Sequence, residues 1–226
     1  MKPPHSYPIH TETGRRLMEM FELMLEHFGP QNWWPADGEL EMMVGAVLTQ
    51  NTNWKNVEKA LRSLKDGGYL SLEGLDGLPA EELAQLIRPA GYYNIKAKRL
   101  KNLLRFLMDQ YGSDLSLFLQ DATRSLREGL LSVKGIGPET ADSILLYAAH
   151  RPVFVIDAYT YRILYRHDMA DDQAGYEELQ DLFMDHLPED APLFNEFHAL
   201  IVKTGKHYCK KRPLCAKCPL EAWRME

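Results

Sequence analysis

Apolar residues recur at three- and four-residue spacings through almost all of this 226-residue chain, a period that admits helices and little else. In residues 15–28, Leu17, Met20, Phe21, Met24, Leu25 and Phe28 share one helical face, and Gly29-Pro30 ends the run. The same pattern predicts helices over 40–49, 54–64, 80–87, 96–111, 123–132, 139–149, 159–165, 176–186 and 193–204. Short connections carrying Gly, Pro, Asp or Ser separate them, as caps and turns require. Residues 153–156 form the one strand-like stretch, too short and solitary to build a sheet. The expected fold class is therefore all-α, without internal repeats.

Hydrophobic residues make up 45% and charged residues 26% of the chain, which suits a globular protein with a sizeable core and excludes a disordered or fibrous one. The longest apolar run, residues 144–149, is far short of a membrane span, and no apolar stretch follows the N-terminal Met-Lys-Pro-Pro-His. The expectation is a cytoplasmic protein with no membrane partner.

The formal charge of −6 argues at first against an acidic partner such as DNA. Charge is unevenly spread, however. Residues 168–190 hold nine carboxylates and no Lys or Arg, so the other residues are net positive. Two stretches are purely basic: residues 94–105, with Lys96, Lys98, Arg99, Lys101 and Arg105, and residues 201–218, with Lys203, Lys206, Lys210, Lys211, Arg212 and Lys217. The acidic run is expected to lie away from nucleic acid as a solvated face, and the basic stretches to line one side.

The segment Ser132-Val133-Lys134-Gly135-Ile136-Gly137-Pro138-Glu139-Thr140 has the form of a helix-hairpin-helix: one helix ends, two glycines flank an apolar residue in the turn, and Pro138 opens the next helix. Gly135 and Gly137 allow backbone N–H groups to approach a phosphate at a helix N-terminus. Lys134, Gly135, Ile136, Gly137 and Thr140 are thus candidate DNA-backbone contacts, which position a protein without reading sequence. Twenty residues beyond Gly137, Asp157 follows an apolar run and opens a helix, which suits an N-cap carboxylate and does not preclude chemistry.

Hairpin and aspartate in this order, with Leu48-Thr49-Gln50-Asn51-Thr52 and Gly91-Tyr92-Tyr93-Asn94-Ile95-Lys96-Ala97, resemble the helix-hairpin-helix (HhH-GPD) base-excision DNA glycosylase superfamily, and within it the endonuclease III branch. The resemblance runs from about Trp33 to Cys218. It implies Asp157 as the catalytic residue, stabilising an oxocarbenium-like sugar and orienting the attacking water. Bifunctional members carry a lysine two residues after the second hairpin glycine, which forms a Schiff base with the sugar. Here that position is Glu139, and a carboxylate forms no imine, so monofunctional hydrolysis is expected.

Trp33-Trp34-Pro35 and Trp54 look like the 3-methyladenine DNA glycosylase III subgroup, where aromatic residues sandwich a flipped, damaged base; stacking and cation–π attraction suit an alkylated, positively charged base. By the same resemblance Gln50 fills the space left by the flipped nucleotide, and Lys206 corresponds to a lysine near the catalytic aspartate, or else is one more phosphate-facing cation. Without the resemblance, paired tryptophans are ordinary core.

Cys209, Cys215 and Cys218 are the chain's three cysteines, clustered among basic residues as in a metal loop rather than a disulfide framework. The relatives hold a [4Fe–4S] cluster there with four Cys. This chain has five residues in the first gap where the family has six, and Arg224 where the family has its fourth Cys. His207 or a non-protein ligand completes the shell, or the loop is a metal-free remnant presenting Lys210, Lys211 and Arg212 to phosphate.

The expected organisation is a hairpin-containing helical domain over 31–151 and a second made of 1–30 with 152–226, with the active site in the cleft between them. The expected activity is hydrolytic release of a damaged base, an alkylated purine, from double-stranded DNA by a monomer. The alternatives are an endonuclease III-like glycosylase/AP lyase acting on oxidised pyrimidines, or a non-catalytic helix-hairpin-helix DNA-binding module.

Overall fold

The computed structural model describes Tyr7, residues 9–34 and residues 36–223. In chain order the helices are α1 (Glu12–Phe28), α2 (Glu39–Thr49), α3 (Trp54–Asp66), α4 (Leu72–Gly77), α5 (Ala80–Leu86), α6 (Tyr93–Tyr111), α7 (Leu115–Gln120), α8 (Thr123–Ser132), α9 (Pro138–Ser143), α10 (Ala158–Arg166), α11 (Tyr176–Met184) and α12 (Ala191–His207). No strand occurs among the described residues, so the fold is all-α.

Side-chain caps explain many of the starts: Thr11, Asn53, Ser71, Asp114, Asp157 and Asp190 each accept a backbone N–H from their own first turn. Two helices escape the periodicity argument. α4 and α7 have six residues each, too few for a repeating apolar face, and are set by their Ser71 and Asp114 caps. The predicted helix over 139–149 also differs in kind. It is α-helical only to Ser143 and then widens into a π turn over Ile144–Ala148, where every residue is buried.

The chain divides into two compact units, one containing the described residues up to Trp33 and those from Pro152 on, the other Trp34–Arg151. In the second unit α2 is the central helix, buried from Glu41 to Leu48 and packed on α3, α6 and the π turn. In the first unit α1, α10, α11 and α12 enclose an aromatic core in which Phe154 stacks on Phe183 at 3.7 Å and Phe21 meets Phe197 edge-on at 5.2 Å. The extended segment Val153, Phe154, Val155 and Ile156 lies in that core without a sheet partner. Side chains of α11 bond its backbone instead: Gln180 donates to the Phe154 carbonyl at 2.7 Å, and the Phe154 and Ile156 N–H groups reach Met184 Sδ and the Tyr176 hydroxyl, both at 3.4 Å.

Candidate active site

Asp157 stands at the N-terminus of α10 because Ile156 before it is core and its own carboxylate caps the helix. Its Oδ1 accepts three bonds, from the Tyr159 N–H at 3.0 Å, the Thr160 N–H at 2.7 Å and the Thr160 hydroxyl at 2.9 Å. That fixes the carboxylate plane and turns Oδ2 toward α12, where His198 Nε2 lies 3.8 Å away. Burial pushes the His198 pKa down, with Asp157 opposing and Lys206 reinforcing the shift. Lys206, two turns along the same helix, also has its pKa lowered by burial and raised by Asp157, and its ammonium sits 5.5 Å from the Trp33 ring centroid.

Close approach of α10 and α12 depends on Gly205. A Cβ there would fall within 2.8 Å of the Tyr159 Cβ, so only glycine lets the first turn of α10 lie against this part of α12. His198 and Gly205 were not singled out from the sequence. The signal for Gly205 is a glycine inside an otherwise helical run; a lone buried histidine on an apolar helix face carries none.

The other tryptophans belong to the second unit. Trp34 meets Trp54 edge-on at 4.9 Å and Tyr147 at 5.3 Å, and it lies beside Gly45 of α2, where a Cβ would come 3.6 Å from the indole, an ordinary contact. Trp54 Nε1 donates to Glu58 at 2.9 Å. Tyr147, supplied by the π turn, is an aromatic partner that sequence reasoning missed. Pro35 lies outside the described residues.

At the hairpin the two glycines have different duties. Gly135 has φ +100° and a Cβ there would strike the Arg99 side chain, whereas Gly137 has ordinary extended backbone with open space around it. Ile136 and Thr140 are buried, and the Ile136 N–H is already bonded to the Val133 carbonyl at 3.0 Å. Lys134 is exposed, and its carbonyl accepts from Asn102 at 2.8 Å. Gln50 is drawn onto the hairpin: its Nε2 donates to Thr140 Oγ1 at 2.9 Å and to the Gly135 carbonyl at 3.2 Å, and its Oε1 accepts from Arg99.

Two cations of residues 94–105 depart from the expectation that this stretch lines a DNA-facing side, while Lys98 and Arg105 stay exposed. Lys96 is 1% exposed and donates to the carbonyls of Leu48 and Ala90, both at 2.8 Å; burial pushes its pKa down to about 8. Lys101 likewise donates to the carbonyls of Leu75 and Asp76. A run of cations at helical spacing looks the same whether it faces solvent or caps neighbouring helix ends. In residues 168–190, by contrast, every carboxylate but Asp190 is exposed, and Asp190 caps α12.

Cys209, Cys215 and Cys218, all free thiols, line one cavity of about 360 Å³ beside α10. Arg162 and Arg166, a turn apart on α10, hold the loop: Arg162 donates to the Cys209 carbonyl at 2.7 Å, and Arg166 to Cys209 Sγ at 3.2 Å and the Lys210 carbonyl at 2.7 Å. Burial pushes the Cys218 thiol up, the Leu220 N–H opposing and the other cysteines adding to the shift. Lys210, Lys211 and Arg212 remain exposed. His207, one expected completion of the metal shell, does not line the cavity; His167 does. Among the described residues no three His, Cys, Asp or Glu side chains gather closely enough to hold a single metal ion. Nor, among them, is any helix long and apolar enough to cross a membrane.

Comparison with known proteins accounts for this arrangement. Residues 44–189 match the model of the HhH-GPD superfamily of base excision DNA repair proteins. The chain is 45% identical over 206 residues to a protein of Methanocaldococcus jannaschii provisionally named a DNA repair glycosylase, covering 91% of this chain and 94% of that one. It is 29% identical to endonuclease III of Thermotoga maritima, covering 85% and 84% of the two chains. The crystal structure of Helicobacter pylori 3-methyladenine DNA glycosylase bound to 1,N6-ethenoadenine superposes with a TM-score of 0.74 at 33% identity, covering 87% of this chain and 98% of that one. A trapped endonuclease III–DNA complex, at 23% identity, shares the fold with a TM-score of 0.79, covering 93% and 94%. This chain belongs to the HhH-GPD superfamily and is a DNA repair glycosylase.

Proposed function

We propose that the protein is a monofunctional glycosylase that hydrolyses the N-glycosidic bond of a flipped alkylated purine in double-stranded DNA, acting as a monomer. The observation that carries this reading is the division of labour on Asp157: Oδ1 is saturated by three donors while Oδ2 faces His198 and feels the charge of Lys206. A carboxylate held in that way can stabilise the positive sugar as the base departs and orient a water onto C1′. Water supplies the new C1′–O bond and gives up a proton to the Asp157 carboxylate or to solvent; the C1′–N bond breaks, and the cationic base takes the electron pair and leaves neutral. His198 is a positioning residue: its imidazole backs the Asp157 carboxylate and keeps bulk water from that side.

Trp34 and Trp54, with Tyr147, supply electron-rich faces and edges suited to a cationic base, and Trp33, in the other unit, carries the Lys206 ammonium over its own ring. Gln50 is held ready by the hairpin, while Gly137, Lys134 and the loop cations Lys210, Lys211 and Arg212 grip phosphate. Glu139 at the family's Schiff-base position supports the absence of lyase activity. The rival glycosylase/lyase reading rests on Lys206, whose lowered pKa beside Asp157 favours a free amine.

The thiol loop suits an iron–sulfur cluster better than a lone ion, because three cysteines share a cavity much larger than one metal and are backed by Arg166 and the Leu220 N–H. Cys209, Cys215 and Cys218 would hold it. When bound, such a cluster stiffens the loop that presents Lys210, Lys211 and Arg212.

Duplexes bearing 3-methyladenine, 7-methylguanine, hypoxanthine, thymine glycol and uracil test the substrate; excision of the oxidised pyrimidine alone would end the alkylpurine reading. Borohydride trapping should give no enzyme–DNA adduct, and an adduct lost in Lys206→Ala would establish the lyase instead. Asp157→Asn should lower base release by about 10²–10⁴-fold with DNA binding kept.

A further inference from the structure

Lys96 and Arg99 lie three residues apart on one face of α6, and both reach the C-terminal end of α2. Lys96 holds the Leu48 carbonyl at 2.8 Å, and the Arg99 guanidinium donates to Gln50 Oε1. Gln50 is therefore fixed on several sides. The Thr52 N–H returns to the Thr49 carbonyl at 3.1 Å and closes the turn through Asn51, whose φ is +53°. Gln50 Nε2 donates to Thr140 Oγ1 at 2.9 Å and to the Gly135 carbonyl at 3.2 Å. A guanidinium only donates and a backbone carbonyl only accepts, so these partners set which end of the carboxamide is oxygen. Both N–H donors and one lone pair of the carboxamide are thus spent on the protein, and the side chain has little rotamer freedom left to lose when DNA binds. Arg99 is itself seated on the hairpin: its stem fills the space over Gly135, where a Cβ would lie 3.0 Å from Cδ and 3.1 Å from Nε.

We propose that Arg99 is a positioning residue for base flipping: it fixes the Gln50 carboxamide against the hairpin, so that the side chain that fills the vacated space is in place before a nucleotide leaves the stack. This role rests on the reading of Gln50 as that side chain. It differs from a phosphate contact, because the guanidinium is directed onto Gln50 of the protein, unlike the exposed ammonium of Lys98 one residue before it. Fixing the carboxamide in advance favours the flipped state without adding a contact to DNA.

A duplex carrying a tetrahydrofuran abasic analogue beside 2-aminopurine presents a vacated space without any lesion or base release. The full-length protein should bind it more tightly than the intact duplex and change the 2-aminopurine emission. Arg99→Met keeps a stem over Gly135 and removes the guanidinium. It should lower the preference for the abasic duplex about tenfold, the worth of a hydrogen bond to a charged group, and reduce the emission change. Affinity for intact duplex and its salt slope should stay as they were. In a Gln50→Ala background the same substitution should have no further effect. Arg99→Gln, shorter and uncharged, serves the same comparison should Arg99→Met fail to fold. A loss that persists in the Gln50→Ala background, or a shallower salt slope, would show that Arg99 meets DNA directly and overturn the proposal, as would an unchanged preference in the Arg99 variant. An unchanged preference in Gln50→Ala itself would overturn the reading of Gln50, and the role of Arg99 with it. Base release from the lesion panel measures the glycosylase reading independently of either, since the abasic duplex has no base to release.

Discussion

His198 Nε2 and Asp157 Oδ2 lie 3.8 Å apart in the buried wall between α10 and α12. Burial holds the histidine's folded pKa below the ordinary 6.5, so the folded protein resists protonation that the unfolded chain accepts. The stability that neutral His198 permits is therefore present above pH 6.5 and is lost as pH falls below it. Thermal melts from pH 7.5 to 5 should show a steeper loss of Tm for the unsubstituted protein than for His198→Gln. If His198 acts through Asp157 and not on substrate, the same variant should lower kcat for base release with little change in KM.

Gly135 and Gly137 should separate in mutagenesis. Alanine at 135 must adopt φ near +100° and push into Arg99, at a cost of about 1–3 kcal/mol. Alanine at 137 meets no neighbour in the protein, so Tm should hold; on the proposed phosphate contact the added methyl group should lower affinity for duplex DNA. Equal loss of Tm in both variants would show that the whole turn is structural.

Lys96 should behave as a structural cation. Lys96→Met leaves the Leu48 and Ala90 carbonyls without their donor, at about 1–3 kcal/mol per buried group, and each kcal/mol lowers Tm by about 2–4 °C in a chain of this size. Its folded pKa of about 8 lies below the ordinary 10.5, so the unfolded chain binds the extra proton in that window and stability contributed by this group rises from pH 8 toward 10.5. Chemical denaturation of the Met variant should lack that rise.

DNA affinity should fall steeply with salt despite the net charge of −6. Replacing Lys210, Lys211 and Arg212 together should shallow the slope of log K against log salt by about 0.9 per lost phosphate contact. Lys96→Met should leave that slope unchanged, since its ammonium is buried. Salt-independent binding would mean that the overall charge outweighs the local patches.

Helical periodicity alone determined the fold class and most of the long helices, because a 3.6-residue apolar pattern is satisfied by one kind of local structure. Asp157 and the hairpin were also legible, since a cap at the end of an apolar run and a Gly-x-Gly turn before proline are local signals. Short-range sequence could not reveal that Ile144–Ala148 widens into a π turn that carries Tyr147 to Trp34, since the apolar spacing there also fits a plain helix. Nor could it separate Lys96 and Lys101, spent on carbonyls of neighbouring segments, from exposed Lys98 in the same run. His198 beside Asp157, Gly205 under Tyr159, and His167 in the thiol cavity are pairings across 41, 46 and as many as 51 residues of chain. Local spacing sets which face a residue occupies; what that face meets is decided only when the helices pack.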